Sequence, residues 1–180
     1  MKINLGCGEV LLKGWVNIDT VRRKGVKYGL AYPLDVEEKS CDIIYASHLL
    51  DYYDREEAVE VLKHWYLKLK KGGILRLAVP DFAMMAGVYL EKRVRLGFWE
   101  LTDKPIYGPL TGRIDNGNGG FIFHKSWWDE YELTAFLNNA GFEDVRRWDC
   151  KKTRPHSKNR DCSWSERCGE SISLNLEGSK

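Results

Sequence analysis

Short apolar runs without strand-like alternation take turns along this chain with segments of helical period, and that pattern restricts the fold more than any other feature. Lys2 to Leu5 reads as a strand ending in Gly6-Cys7-Gly8, and Trp15 to Asp19 as a second strand that stops on an acid. Val26 to Leu30 reads as a third, bounded and broken by Gly25 and Gly29, and Cys41 to Ala46 as a fourth. From Arg55 to Lys70, the residues Ala58, Val59, Leu62, Trp65, Tyr66 and Leu69 recur at three- and four-residue steps, which predicts a helix stopped by Gly72-Gly73. Ile74 to Val79 is then a strand, Pro80-Asp81 its exit turn, and Phe82 to Leu96 a second helix. Strands that lack alternation are buried on both faces. The expectation is therefore an α/β fold, a doubly wound and mostly parallel sheet with helices on both sides.

The second half differs in texture. Gly97 to Lys125 holds Pro105, Pro109 and several glycines among aromatic and polar residues, and reads as a long irregular loop on the substrate side; loops of that length inside a compact domain are usually functional. Ser126, with Asp129 three positions on, predicts the start of a helix running to Asn139 and stopped at Ala140-Gly141. Phe142 to Asp149 and Ser171 to Glu177 read as two final strands, and a hairpin of the two would give the sheet an antiparallel C-terminal edge. Cys150 to Glu170 between them is polar and basic, and reads as a mobile connection. A length of 180 residues suits one domain, 1–180.

Composition narrows the partners. The 28 basic and 26 acidic side chains leave a formal charge of +2, too small and too evenly spread to call for nucleic acid or a membrane surface. The basic run Lys151, Lys152, Arg154, Lys158 and Arg160 has only Trp164 interleaved, so a solvated loop explains it better than an RNA-binding face. No apolar stretch approaches the length of a membrane span, and no signal-peptide pattern precedes Ile3. The five cysteines lack the spacing of a disulfide framework, which points to reduced thiols and a cytoplasmic, soluble protein. Cys150, His156, Cys162 and Cys168 are zinc-ligand types, but no Cys-x-x-Cys spacing joins them, and no metal is expected.

Gly6 and Gly8 stand at the carboxyl end of the first strand, where backbone N–H groups must come close to a ligand. Asp19 closes the next strand, where a carboxylate can accept hydrogen bonds from the two hydroxyls of a ribose. A dinucleotide site would need a further glycine at a helix N-terminus, where Val10 and Leu11 stand, and an acid about 20 residues on; Asp19 comes too soon. That disfavours a nicotinamide-dependent oxidoreductase and suits a nucleoside bearing a carboxylate and an ammonium in place of phosphates.

These residues resemble the class I S-adenosylmethionine (SAM)-dependent methyltransferases, in particular small bacterial and archaeal members, and the resemblance covers nearly the whole chain. Leu5-Gly6-Cys7-Gly8 is similar to their first glycine motif and Asp19 to their ribose-binding acid. Pro33-Leu34-Asp35, followed by Cys41-Asp42-Ile43-Ile44, resembles the segment whose aspartate contacts the adenine amino group. Ser47-His48-Leu49-Leu50-Asp51 resembles the turn after the fourth strand, and Lys70-Lys71-Gly72-Gly73 the helix-to-strand junction. The resemblance implies a Rossmann-like methyltransferase fold with SAM as cofactor, held by Leu5, Gly6, Cys7, Gly8, Asp19, Asp35, Ser47 and His48. It also implies methyl transfer to a small-molecule acceptor. The chain departs from the family in starting at the first strand and in having a first crossover too short for an ordinary helix, so the cover over the cofactor must come from elsewhere, with Gly97 to Lys125 the candidate.

Methyl transfer from a sulfonium is an in-line displacement, and a hydroxyl or amine acceptor also needs a base. His48, Asp81 and His124 are the candidates. Each has a plainer reading: His48 shaping the nucleoside pocket, Asp81 capping the helix after it, His124 serving a structural or solvent-facing role. Glu9 reads as a charged side chain after a turn and Cys7 as small filler. Trp127-Trp128, Phe121 and Phe123 could wall a flat or sugar-like acceptor or pack the last helix on the sheet. A non-catalytic cofactor-binding scaffold is the alternative that stays open, as does the oligomeric state.

Overall fold

The structure, a computed structural model, describes residues 1–96, 107–115, 119–153, 156, 161–167 and 170–180. In chain order it contains β1 (Lys2–Leu5), β2 (Val16–Asp19), β3 (Lys27–Tyr28), β4 (Cys41–Ser47), helix α1 (Arg55–Lys68), β5 (Leu69–Pro80) and helix α2 (Phe82–Leu96). Then follow α3 (Tyr107–Thr111), β6 (Ile114–Asp115), β7 (Phe121–Ile122), α4 (Glu130–Asn139), β8 (Glu143–Arg147), β9 (Glu166–Arg167), β10 (Glu170–Ser171) and β11 (Ser173–Ser179). Seven strands form one sheet in the order β3-β2-β1-β4-β5-β11-β8. The pairs from β3 to β5 are parallel, and β11 runs antiparallel to both β5 and β8. No described helix is long and apolar enough to cross a membrane.

The expected antiparallel pairing of the last two strands is present, but not as an edge hairpin. β11 sits between β5 and β8, and β8 is the edge. One acid bridges both neighbours of the inserted strand: Glu177 lies opposite Arg76 on β5 and Arg146 on β8. Its Oε2 accepts two hydrogen bonds from the Arg76 guanidinium (3.0 and 2.8 Å), and its Oε1 accepts two from Arg146 (3.1 and 3.0 Å). Charge-assisted hydrogen bonds to both flanking strands fix register as well as charge.

The local starts and stops follow from side-chain chemistry. Asp54 accepts from the Glu57 N–H while the Glu57 carboxylate accepts from the Asp54 N–H, a reciprocal cap on α1. Ala58, Val61, Leu62 and Trp65 bury the inner face of α1 against Ile3, Leu5, Ile44, Leu75 and Leu77 of the sheet, and Leu133 and Leu137 of α4 join the same cluster. α1 ends before Gly72-Gly73, because Leu69 turns extended to pair with Cys41, and β5 starts there. The third strand is only Lys27–Tyr28. Asp129, not Ser126, caps α4 by accepting from the Glu132 N–H. The stretch expected to be an irregular loop holds α3 and the small β6–β7 hairpin among its described residues; positions 97–106 and 116–118 lie outside them.

Residues 6–15 form no helix, so the first crossover is as short as its sequence implies. Around Tyr45 the opposite face of the sheet is covered by Leu12, Trp148 and Cys150, with Val10, Trp15 and Trp164 packed beside them. Described parts of 150–170 are therefore built into the fold: Cys150, His156 and Ser163 are buried, and the Tyr45 hydroxyl donates to Asp161 at 2.7 Å. Arg154, Lys158, Arg160 and Cys168 lie outside the described residues.

His156 has ring centroids of Tyr45, Trp148 and Trp15 at 4.2, 5.0 and 5.8 Å, and neither of its ring nitrogens has a hydrogen bond among the described residues. Burial, aided by the positive charge of Arg76, pushes its pKa down to about 4. An unfolded chain protonates this histidine near its ordinary value of 6.5, the native one near 4, so stability should fall as pH drops through that window, by up to about 3 kcal/mol. Urea titrations at pH 7 and pH 4.5 on wild type and His156→Phe check this. The variant should lose clearly less stability on acidification, and an equal loss in both would refute the assignment.

Candidate functional site

The carboxyl ends of β1, β2 and β4 and the segment from α3 to His124 enclose a cavity of about 760 Å³. Gly6, Gly8, Asp19, Ser47, His48 and His124 line it, so six of the residues singled out in the sequence meet in one place. Gly6 and Gly8 have φ of +57° and +52°, a region unfavourable to side chains, and a Cβ on Gly6 would press on Leu49 at 3.0 Å. The turn they make is closed by two bonds to β2: Cys7 N–H donates to the Ile18 carbonyl (3.1 Å) and Gly8 N–H to Asp19 Oδ2 (2.9 Å). Val21 N–H donates to Asp19 Oδ1 at 2.9 Å. The Asp19 carboxylate is thus fixed in direction, and each oxygen keeps a lone pair for a ligand.

Leu5 and Cys7 stand behind the cavity, buried in the core. Burial raises the Cys7 thiol to about 11, which makes it an unreactive filler. Asp35 is exposed and does not line the cavity; Gly29, Leu30 and Ala31 line the wall beyond Asp19 instead. Asp81 lies elsewhere as well. Its Oδ1 accepts from the Met84 N–H at the start of α2, and it borders a separate groove of about 470 Å³ with Asp129, Glu130 and Arg147. Trp128 is fully buried against Phe136, while Trp127 is partly exposed and donates its indole N–H to the Leu110 carbonyl at 3.0 Å.

His48 follows β4 in a left-handed conformation, φ +47°, with its N–H donating to the Ala78 carbonyl at 2.7 Å. Its Nε2 is 3.1 Å from Ser173 Oγ, which itself has acceptors at Val79 O and Asn175 Oδ1. Burial lowers the His48 pKa, against the opposing charge of Asp51, and the ring is neutral near pH 7.

Asp51 and His124 form the other notable pair. His124 Nε2 is 2.7 Å from Asp51 Oδ2, with the two side chains 3% and 0% exposed. Asp51 also accepts the Lys125 and Ser126 N–H groups on its backbone carbonyl, which ties the start of the α4 segment to the turn after β4. His124 rests on Gly112, where any Cβ would fall 1.9 Å from Nε2, and Tyr52 meets the imidazole edge-on at 4.7 Å. The Tyr52 hydroxyl donates to the Gly112 carbonyl at 2.6 Å. Tyr52 and Tyr53 both line the cavity, and burial raises both phenols, Tyr53 to about 12.

Thr20, Tyr52, Tyr53 and Arg113 also line the cavity without a mark in the sequence, Cys162 lines it rather than holding a metal, and Asp51 stands behind His124. The Tyr-Tyr pair directly after the Ser47 to Asp51 turn was the available signal. Among the described residues no group of His, Cys, Asp and Glu is placed to hold a metal ion.

No protein-family model and no curated protein matches the sequence. Solved structures do match over 99% of the chain. A SAM-dependent methyltransferase from Thermotoga maritima aligns with a TM-score of 0.59 at 19% identity over 81% of its own length. Another from Archaeoglobus fulgidus gives 0.55 at 15% over 85%. The 1,6-didemethyltoxoflavin-N1-methyltransferase of Burkholderia thailandensis, solved with that substrate and S-adenosylhomocysteine, gives 0.54 at 14% over 70%. Taken with the strand order and the inserted antiparallel β11, these matches mean that the chain has the Rossmann-like fold of the class I SAM-dependent methyltransferases.

Proposed function

We propose that residues 1–180 form one cytoplasmic domain that binds SAM in the cavity and transfers its methyl group to a small-molecule acceptor. The observation that carries this reading is the Asp19 carboxylate, locked by the Gly8 and Val21 N–H groups and presented to a cavity of suitable size beside the Ser47-His48 turn. The Burkholderia neighbour, solved with S-adenosylhomocysteine and a small heterocyclic substrate, supports it. Cys7, Cys41 and Cys150 are free thiols, in keeping with a reducing compartment.

Bound SAM would supply an electrophilic methyl carbon on a sulfonium. The chain's own residues have three tasks. Asp19 accepts the ribose hydroxyls, with the open backbone of Gly6 and Gly8 beside it. Residues 107–115 and 119–124, the described parts of the acceptor side, exclude water through Pro109, Ile114 and Ile122. The proton of a hydroxyl or amine acceptor passes to His48 or to His124, which line the cavity; Asp81 does not line it and caps α2.

Calorimetric titration with SAM, S-adenosylhomocysteine and reduced nicotinamide dinucleotides tests the reading. Micromolar binding of the two adenosyl ligands, with the dinucleotides at least tenfold weaker, is expected. Tighter dinucleotide binding, or no adenosyl binding, overturns it.

A further inference from the structure

We propose that Arg113 holds the carboxylate of the cofactor's amino-acid end, a task that has no other charged candidate on the described walls of the cavity. The proposal rests on the SAM reading above. A nucleoside that carries an amino acid brings an anionic group into the cavity, and in sheets of this kind the turn after the first strand commonly leads into a helix whose first N–H groups stabilise an anion. Residues 6–15 form no helix. Four amides of that turn are also committed: Cys7 N–H to Ile18 O, Gly8 N–H to Asp19, Val10 N–H to Cys7 O and Leu12 N–H to Asn17 Oδ1. The Asp19 carboxylate stands on the same wall and repels a second anion.

The opposite wall has what is missing. Arg113 is the one described lining residue with a permanent positive charge. It makes no ion pair or hydrogen bond among the described residues, and its guanidinium lies over the Phe121 ring with Cζ 3.3 Å from the centroid. Its backbone neighbour is held firmly: Gly112 donates its N–H to Gly108 O at 2.9 Å and accepts from the Tyr52 hydroxyl at 2.6 Å. A stacked, backbone-anchored guanidinium with all its N–H donors available suits bidentate capture of a carboxylate.

The test compares S-adenosylhomocysteine with S-adenosyl-3-thiopropylamine, which lacks only the carboxylate, by calorimetry on wild type, Arg113→Met and Arg113→Lys. Methionine keeps an apolar stem against Phe121. Expected is a loss of about tenfold or more in S-adenosylhomocysteine affinity for Arg113→Met, partly restored in Arg113→Lys, with the amine bound equally by wild type and Arg113→Met. Parallel weakening of both ligands would make Arg113 a shaper of the lid only, and no weakening of either would give it no role; both outcomes overturn the proposal. Failure of wild type to bind either ligand instead removes the cofactor reading on which the proposal rests.

Discussion

Asp19→Ala is expected to lower the affinity for S-adenosylhomocysteine by at least about a hundredfold, because the carboxylate does two things at once. It supplies the only acidic acceptors on the described cavity lining, and two ribose hydroxyls bound to a charged group are together worth roughly 3–6 kcal/mol. It also fixes the glycine turn through Gly8 N–H, so its removal frees the backbone that must lie against the ligand. Asp19→Asn keeps an acceptor without the charge and should fall between the two. Calorimetry measures the affinities, and far-UV circular dichroism confirms that the variants fold. Binding by Asp19→Ala within about threefold of wild type would mean that the cavity holds some other kind of ligand.

His124→Ala is expected to destabilise the protein by roughly 3–5 kcal/mol, because it strands a carboxylate with no exposed side-chain surface. That is a large share of the 5–15 kcal/mol typical of a domain. Removing both partners in Asp51→Leu/His124→Leu should be far milder than His124→Ala alone, since no buried charge then remains. Urea unfolding of the three variants gives the comparison. A double variant less stable than His124→Ala would mean that the pair is not coupled. Loss of the pair should also loosen the backbone at Gly112, which packs directly on the His124 ring.

The contrast between these two sites shows what a sequence can carry. Gly6, Gly8 and Asp19 were legible because their chemistry is local: a strand, a turn that needs positive φ and an acid closing the next strand all lie within twenty positions. The stripe of α1 was legible for the same reason, since 3.6-residue periodicity is a property of neighbours. The Asp51–His124 pair was not, because its two halves are far apart in sequence and meet only through tertiary packing. Asp35 is a carboxylate in a suggestive segment that is exposed and does not line the cavity. Gly72-Gly73 looked like a helix stop, but the pairing of Leu69 with Cys41 had already ended the helix, and tertiary contacts overrode local propensity. β6 and β7 are two residues each, too short for any period to register.

The place of β11 has a consequence for how the chain is made. Ser173 to Ser179 pair with Pro80 to Ile74 on one side and with β8 on the other, yet β11 is translated after both of its neighbours. A growing polypeptide can assemble β1 to β5 with α1, but the outer rim of β5 then stays an open row of N–H and C=O groups, with β8 lacking its partner. Such a rim is a template for pairing with a second nascent chain. The contacts that close the sheet are therefore non-local, and a chain cut off before Ser173 would expose that rim.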